Sequence, residues 1–185
     1  MCNCRKNRDA AAVPPALPRQ TQPTSRQRPQ PLSRQVQPPP PAEPEPIDPA
    51  LWGPQLWFIL HTLAELSATT STFARWTRLL ELLKSGLRCP ECQGHFNAWV
   101  DAHPFPAAGT RDQRVAAARQ WVLALHNTVN ERRGVPVWEE AAVVATYGVG
   151  DRALARRTAR ARLAEIRERL GDRAWRLLQL MLSQA

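Results

Sequence analysis

From residue 51 onward the apolar positions fall into short stripes of helical period. Leu56, Leu60, Leu63 and Ala64 recur at that spacing with Trp52 and Trp57 beside them, which predicts a first helix over about 53–67. Phe73, Trp76, Leu79, Leu80 and Leu83 mark a second helix, stopped by Gly86. A third starts at Cys89-Pro90, where proline suits the first helical turn, carries Phe96, Trp99 and Val100, and ends at His103-Pro104. In the fourth, over about 111–133, Val115, Ala118, Val122, Leu125 and Val129 step by 3, 4, 3 and 4 until Gly134 and Pro136 end it. A short helix from Trp138 to Tyr147 follows. Period-two alternation is scarce and no Asn-Gly turn occurs, so strands are not expected and the fold class is an all-α bundle.

Both ends of the chain depart from this pattern. Residues 10–50 hold 13 of the 18 prolines and no glycine, with few apolar groups to offset ordering entropy. This predicts a disordered, extended arm over 1–50 with Met1-Cys2-Asn3-Cys4 at its tip. At the other end, 149–185 reads as one extra amphipathic helix, with Leu163, Ile166, Leu170, Leu177 and Met181 on one side and arginines on the others. One reading packs that apolar stripe on the bundle or on a partner and leaves a solvated arginine face. The other is a helix that binds RNA, DNA or an anionic membrane. Charge runs are more often solvated faces, which favours the first. The expected organisation is an arm over 1–50, a bundle over 51–148 and a C-terminal Arg-rich helix over 149–185.

Charge sharpens this division. The net charge of +9 is uneven: +6 over residues 1–42, −2 over 43–150 and +5 over 151–185. The bundle is mildly acidic, so the high isoelectric point does not by itself signal nucleic-acid binding. No apolar run approaches the ~18 residues of a membrane span, and the N-terminus lacks the apolar core of a secretory signal. Four cysteines are too few for a disulfide-dense scaffold.

The candidate chemistry starts at Cys89-Pro90-Glu91-Cys92. Two cysteines three apart at a helix start put both sulfurs on one turn, where free backbone N–H groups stabilise a thiolate. That suits a redox pair. It also suits zinc, because His95 follows at a ligand-compatible distance and His103, Cys2 or Cys4 could complete the set; the CxxC alone leaves both open. Trp57 and His61, four apart, share a helix face. His126, Asn127 and Asn130 form a polar cluster against the stripe of the fourth helix and need partners there. Aromatic, imidazole and carboxamide groups converging in a bundle suit a planar heteroaromatic ligand.

Taken together, Trp52-Gly53, Trp57-x3-His61-x2-Ala64, Cys89-x2-Cys92-x2-His95-Phe96, Trp121-x4-His126-Asn127-x-Val129-Asn130 and Gly134-x-Pro136 resemble the FAD-linked sulfhydryl oxidases of the Erv/ALR family, over roughly 51–148. The resemblance implies a four-helix FAD-binding bundle with a short fifth helix. It implies oxidation of thiol-containing protein substrates to disulfides, with electrons passing through a proximal CxxC to FAD and then to O2, yielding H2O2, and it implies a homodimer. By position, Cys92 would be the flavin-facing sulfur and Cys89 the exchanging one. Trp57, His61, His126, Asn127 and Asn130 match FAD-contacting positions, with Trp52, Gly53 and Val129 lining the same pocket and His95 and Tyr147 approaching the cofactor. No metal is implied.

Some positions depart from the family. Val135 stands where relatives often have a lysine near the cofactor phosphates, which leaves that contact to Arg132 or Arg133. Glu140 stands where the first cysteine of a structural disulfide would be, and packing of the C-terminal helix is expected to replace that staple. Such a pared-down form resembles the versions encoded by large DNA viruses. Cys2 and Cys4 match a distal dithiol on a flexible arm. About 45 residues of coil reach roughly 35–40 Å, so the pair could relay electrons to Cys89 and Cys92. The expected compartment is the cytoplasm of a viral pathway (or the virion), or a mitochondrial intermembrane space. The alternative function is a zinc-bearing helical module for nucleic acid, using Cys89, Cys92, His95 and a fourth ligand.

Overall fold

Helix α1, Pro49–Glu65, begins four residues earlier than its apolar stripe suggests. The computed structural model, which describes residues 48–184, shows why: Asp48 caps the helix by accepting from the Ala50 N–H at 2.8 Å, and Pro49 fills a first-turn position that needs no donor. Cys2, Cys4 and the arm lie outside the described residues. Helix α2, Thr70–Gly86, is capped by Thr69, whose hydroxyl accepts from the Thr72 N–H at 3.1 Å. Helix α3 runs Pro90–Ala102 with Cys89 as its N-cap. Helix α4, Arg111–Arg132, opens with a reciprocal capping box between Thr110 and Gln113. It stops at Gly134, whose φ of 64° is left-handed. Helix α5 is Glu140–Tyr147. Among the described residues every element is helical, apart from one isolated antiparallel bridge between Leu87 and Leu170.

The segment expected as one C-terminal helix is two. Helix α6, Arg152–Glu165, gives way to a 3-10 turn at Arg167–Arg169, and α7 runs Asp172–Gln184. A single straight helix would bury Leu177. Because the chain reverses near Gly171, α7 instead buries Ala174, Leu178, Met181 and Leu182, and leaves Leu177 only partly covered. Helix α6 packs on α1, and α7 packs on α2 and α6. Leu163, Ile166, Leu170, Leu178 and Met181 join Ile59, Leu63, Trp76, Leu79 and Leu83 in one hydrophobic core. The reversal is possible because two glycines meet. Gly171 N–H donates to Gly86 O at 2.7 Å, and a Cβ on Gly171 would stand 3.2 Å from the Gly86 Cα.

Several polar groups inside this core are matched. Trp76 Nε1 donates to Ser67 Oγ at 2.7 Å, and Ser67 Oγ donates to Leu63 O at 2.7 Å. Arg119 on α4 donates to Glu65 on α1 at 2.5 and 2.8 Å, and to Glu140 on α5 at 3.2 Å. Glu140 is therefore the ionic tether of α5. No described helix is long and apolar enough to cross a membrane.

Candidate active site

Helices α1, α3 and α4 enclose a cavity of about 320 Å³. Its walls are largely apolar: Trp52, Leu56 and Leu60 from α1, Phe96 and Trp99 from α3, Leu125 and Val129 from α4. At one wall stands Cys92, joined to Cys89 in a disulfide with Cα atoms 5.2 Å apart. Cys89 is not part of the lining, so one sulfur of the pair faces the cavity wall and the other belongs to the helix cap. Cys89 Sγ accepts from the Cys92 N–H at 3.2 Å. This places the pair at the positive end of the α3 dipole, where a thiolate is stabilised. Arg132 and Arg133 also line the cavity, with Arg132 Nη2 lying 2.8 Å from His95 Nε2.

Of the ten positions expected to bind a cofactor, Trp52, Gly53, Trp57, His95 and Val129 line this cavity. His61, His126, Asn127, Asn130 and Tyr147 do not; they gather next to it. Trp57 joins the two groups, since its ring also stacks on His126 at 4.2 Å. His126 Nδ1 and His61 Nε2 lie 3.0 Å apart, one donating to the other, and Tyr147 stacks on His61 at 4.4 Å. Trp138 completes the array, 5.9 Å from His126 and 5.7 Å from Tyr147. Trp138, expected as the start of a short helix, instead precedes α5, in the loop after α4. Asn127 both donates to Trp138 O and accepts from Trp138 N–H, each at 2.8 Å, and Asn130 donates to Pro136 O at 3.2 Å. The carboxamides thus pin the loop between α4 and α5 beneath the rings.

Burial holds both imidazoles neutral at pH 7. Desolvation lowers His61 to about 3, with the neighbouring His126 adding to the effect, and desolvation alone lowers His126 to about 4. In an unfolded chain each titrates near ~6.5, so on acidification the unfolded state takes up protons first. Stability from this pair is complete above pH ~6.5 and is lost as pH falls, with a slope approaching about 1.4 kcal/mol per pH unit for each ring. Urea midpoints between pH 7 and 5, where carboxylates contribute little, should fall accordingly. His61→Gln, which keeps a hydrogen-bonding side chain without the titration, should flatten the slope. An equal slope in that variant would remove the pair as its source.

These residues fit a flavin. The slot is largely apolar and aromatic, with Cys92, Arg132 and Arg133 among its lining residues. His61 Nδ1 is buried with no protein partner. A Cβ at Gly53 would meet no protein atom within 4 Å, so packing inside the protein does not require that glycine. A metal fits less well. Cys89 and Cys92 are bonded to each other, and among the described residues no three His, Cys, Asp or Glu side chains are grouped to hold an ion.

An all-α bundle that sets a CxxC disulfide against an aromatic slot defines a protein of dithiol–disulfide chemistry. The profile of the Erv1 / Alr family matches residues 54–147, just over half of the chain, and the chain belongs to that family. The family is one of sulfhydryl oxidases, typically flavin-dependent. A comparison with curated proteins finds no match.

Proposed function

We propose that this protein is an FAD-dependent thiol oxidase that makes disulfides in protein substrates. The observation that carries the reading is the unequal setting of the two sulfurs, Cys92 in the cavity wall and Cys89 at the helix cap. A substrate thiolate attacks Cys89 Sγ, the Cys89–Cys92 bond breaks, and Cys92 leaves as a thiolate stabilised by the first turn of α3. A second substrate thiolate attacks the mixed disulfide. The substrate leaves oxidised, and the cysteine pair holds its two electrons, with two protons released or carried on sulfur. Bound FAD would accept that electron pair from the cysteines and deliver it to O2, giving H2O2. Trp52, Trp57 and Val129 would help hold the ring, Arg132 and Arg133 would offer charge to the phosphates, and the apolar walls would keep water away.

Cys2 and Cys4 are the distal dithiol in this scheme, handing substrate electrons to Cys89. One preparation tests both parts. The purified protein should be yellow, with flavin absorbance near ~450 nm, and should consume O2 with dithiothreitol. Colourless protein that takes up no FAD and no O2 would refute the oxidase. The Cys2→Ser/Cys4→Ser double variant should keep dithiothreitol turnover and lose speed on a protein dithiol; equal speed would refute the relay.

A further inference from the structure

The Leu87–Leu170 bridge lies immediately before the reactive disulfide, and it sets two like charges against each other. Arg88 N–H donates to Arg169 O at 3.0 Å, while Gly171 N–H donates to Gly86 O at 2.7 Å. In that antiparallel pairing Arg88 and Arg169 are directly opposed, an arrangement that costs stability when the charges match. Neither forms an ion pair with a carboxylate among the described residues. The nearby Asp172 hydrogen-bonds Arg167 and forms no ion pair with either of them. The Asp172 carboxyl is held below its ordinary range by that hydrogen bond and by the Arg167 charge, with further contributions from Arg176 and Arg88, so one carboxylate is shared among several cations. Glu168, in the same turn, pairs with none of them. Arg88 and Arg176 are exposed to solvent, and Arg88 is joined by one peptide bond to Cys89.

We propose that Arg88 and Arg169 form a cationic docking rim beside Cys89 that receives an acidic segment of the thiol-bearing protein substrate. This rests on the oxidase reading and adds to it the chemical class of the substrate. The opposed arginines lose stability in the free protein, and a carboxylate cluster on an incoming chain relieves that repulsion where the incoming thiolate must arrive. Such a rim also raises the encounter rate at low ionic strength. The chain's own arm carries Arg5, Lys6 and Arg8 next to Cys2 and Cys4, the same sign as the rim. Added salt therefore eases the approach of the arm and weakens that of an acidic partner.

The test uses the full-length protein with two dithiol peptides that differ only in acidic or basic flanking residues. At low salt the wild type should oxidise the acidic peptide with a kcat/KM about tenfold or more above the basic one, as rim charges typically act, and roughly 0.5 M salt should erase the difference by screening. Arg88→Gln/Arg169→Gln should abolish the preference while dithiothreitol turnover stays at the wild-type rate. Arg88→Glu places opposite charges across the bridge, so it should lower use of the acidic peptide without lowering the melting midpoint. Equal loss on dithiothreitol, or an unchanged preference in either variant, would overturn the rim. Fluorescence anisotropy with thiol-blocked peptides reads docking without catalysis, so an inactive oxidase and an absent rim give different results. A single-stranded RNA that binds at the same salt, and that the acidic peptide cannot displace, would assign the arginines to nucleic acid and overturn the proposal.

Discussion

Cys92→Ser should lower dithiol oxidation about a thousandfold or more, as removal of one member of a catalytic unit does. Serine cannot form the bridge to Cys89, so an attacking thiolate has no disulfide to open and the electron pair has no route to the cavity. The fold should survive. Cys92 is only partly buried, and the bridge closes so short a loop that its loss costs about 2 kcal/mol at most. Because the cavity keeps its aromatic walls, flavin absorbance should be retained. The two cysteines should also separate in trapping: Cys92→Ser leaves Cys89 free to hold a mixed disulfide with substrate, whereas Cys89→Ser removes the sulfur outside the cavity lining and traps less. Oxygen uptake above a tenth of the wild-type rate in Cys92→Ser would show that the electrons take another route.

Ending the chain after Gly150 should abolish cooperative folding, although the family match ends at residue 147. Leu163, Ile166, Leu170, Leu178, Met181 and Leu182 are each at most 1% exposed and pack on α1 and α2. At ~1.5–3 kcal/mol per buried side chain, their loss is on the order of 10 kcal/mol, comparable with the whole ~5–15 kcal/mol of a typical domain's net stability. The truncation would also bare the apolar surfaces of α1 and α2 on which α6 and α7 pack. Circular dichroism during a urea titration should show a broad, non-cooperative change, together with binding of a hydrophobic dye. A sharp transition near the full-length midpoint would mean that the bundle over 51–148 is self-sufficient and that α6 and α7 are an accessory.

The elements that were legible in the sequence are those with local punctuation. Gly86, Cys89-Pro90 and Gly134 each change the backbone in a way no neighbour overrides, and the ends of α2, α3 and α4 fall where they predict. The start of α1 was hidden because Asp48-Pro49, a cap and first-turn pair, sits inside a proline-rich stretch that reads as linker. The break between α6 and α7 was hidden for a different reason. Its apolar residues satisfy one continuous period through Leu170, and only the tertiary meeting of Gly171 with Gly86 turns the chain back. In the site, Gly53 and Trp57 share a face four residues apart and Cys92 and His95 share one three apart, so their convergence on the cavity follows from helical geometry. One turn further along α1, His61 meets α4 and α5 instead. No spacing rule announces that Asn127 and Asn130 bond the backbone of the following loop, because that partner exists only once the loop has folded.

The tether through Glu65, Arg119 and Glu140 has a consequence for how the protein lives with its own chemistry. Among the described residues the sole covalent crosslink is the one that the proposed reaction would open and close, while the architecture around it is secured by ion pairing and close contact. Strong reductants should therefore open the Cys89–Cys92 bridge without loosening the scaffold, and the fold should tolerate surroundings in which a stapled version would come apart.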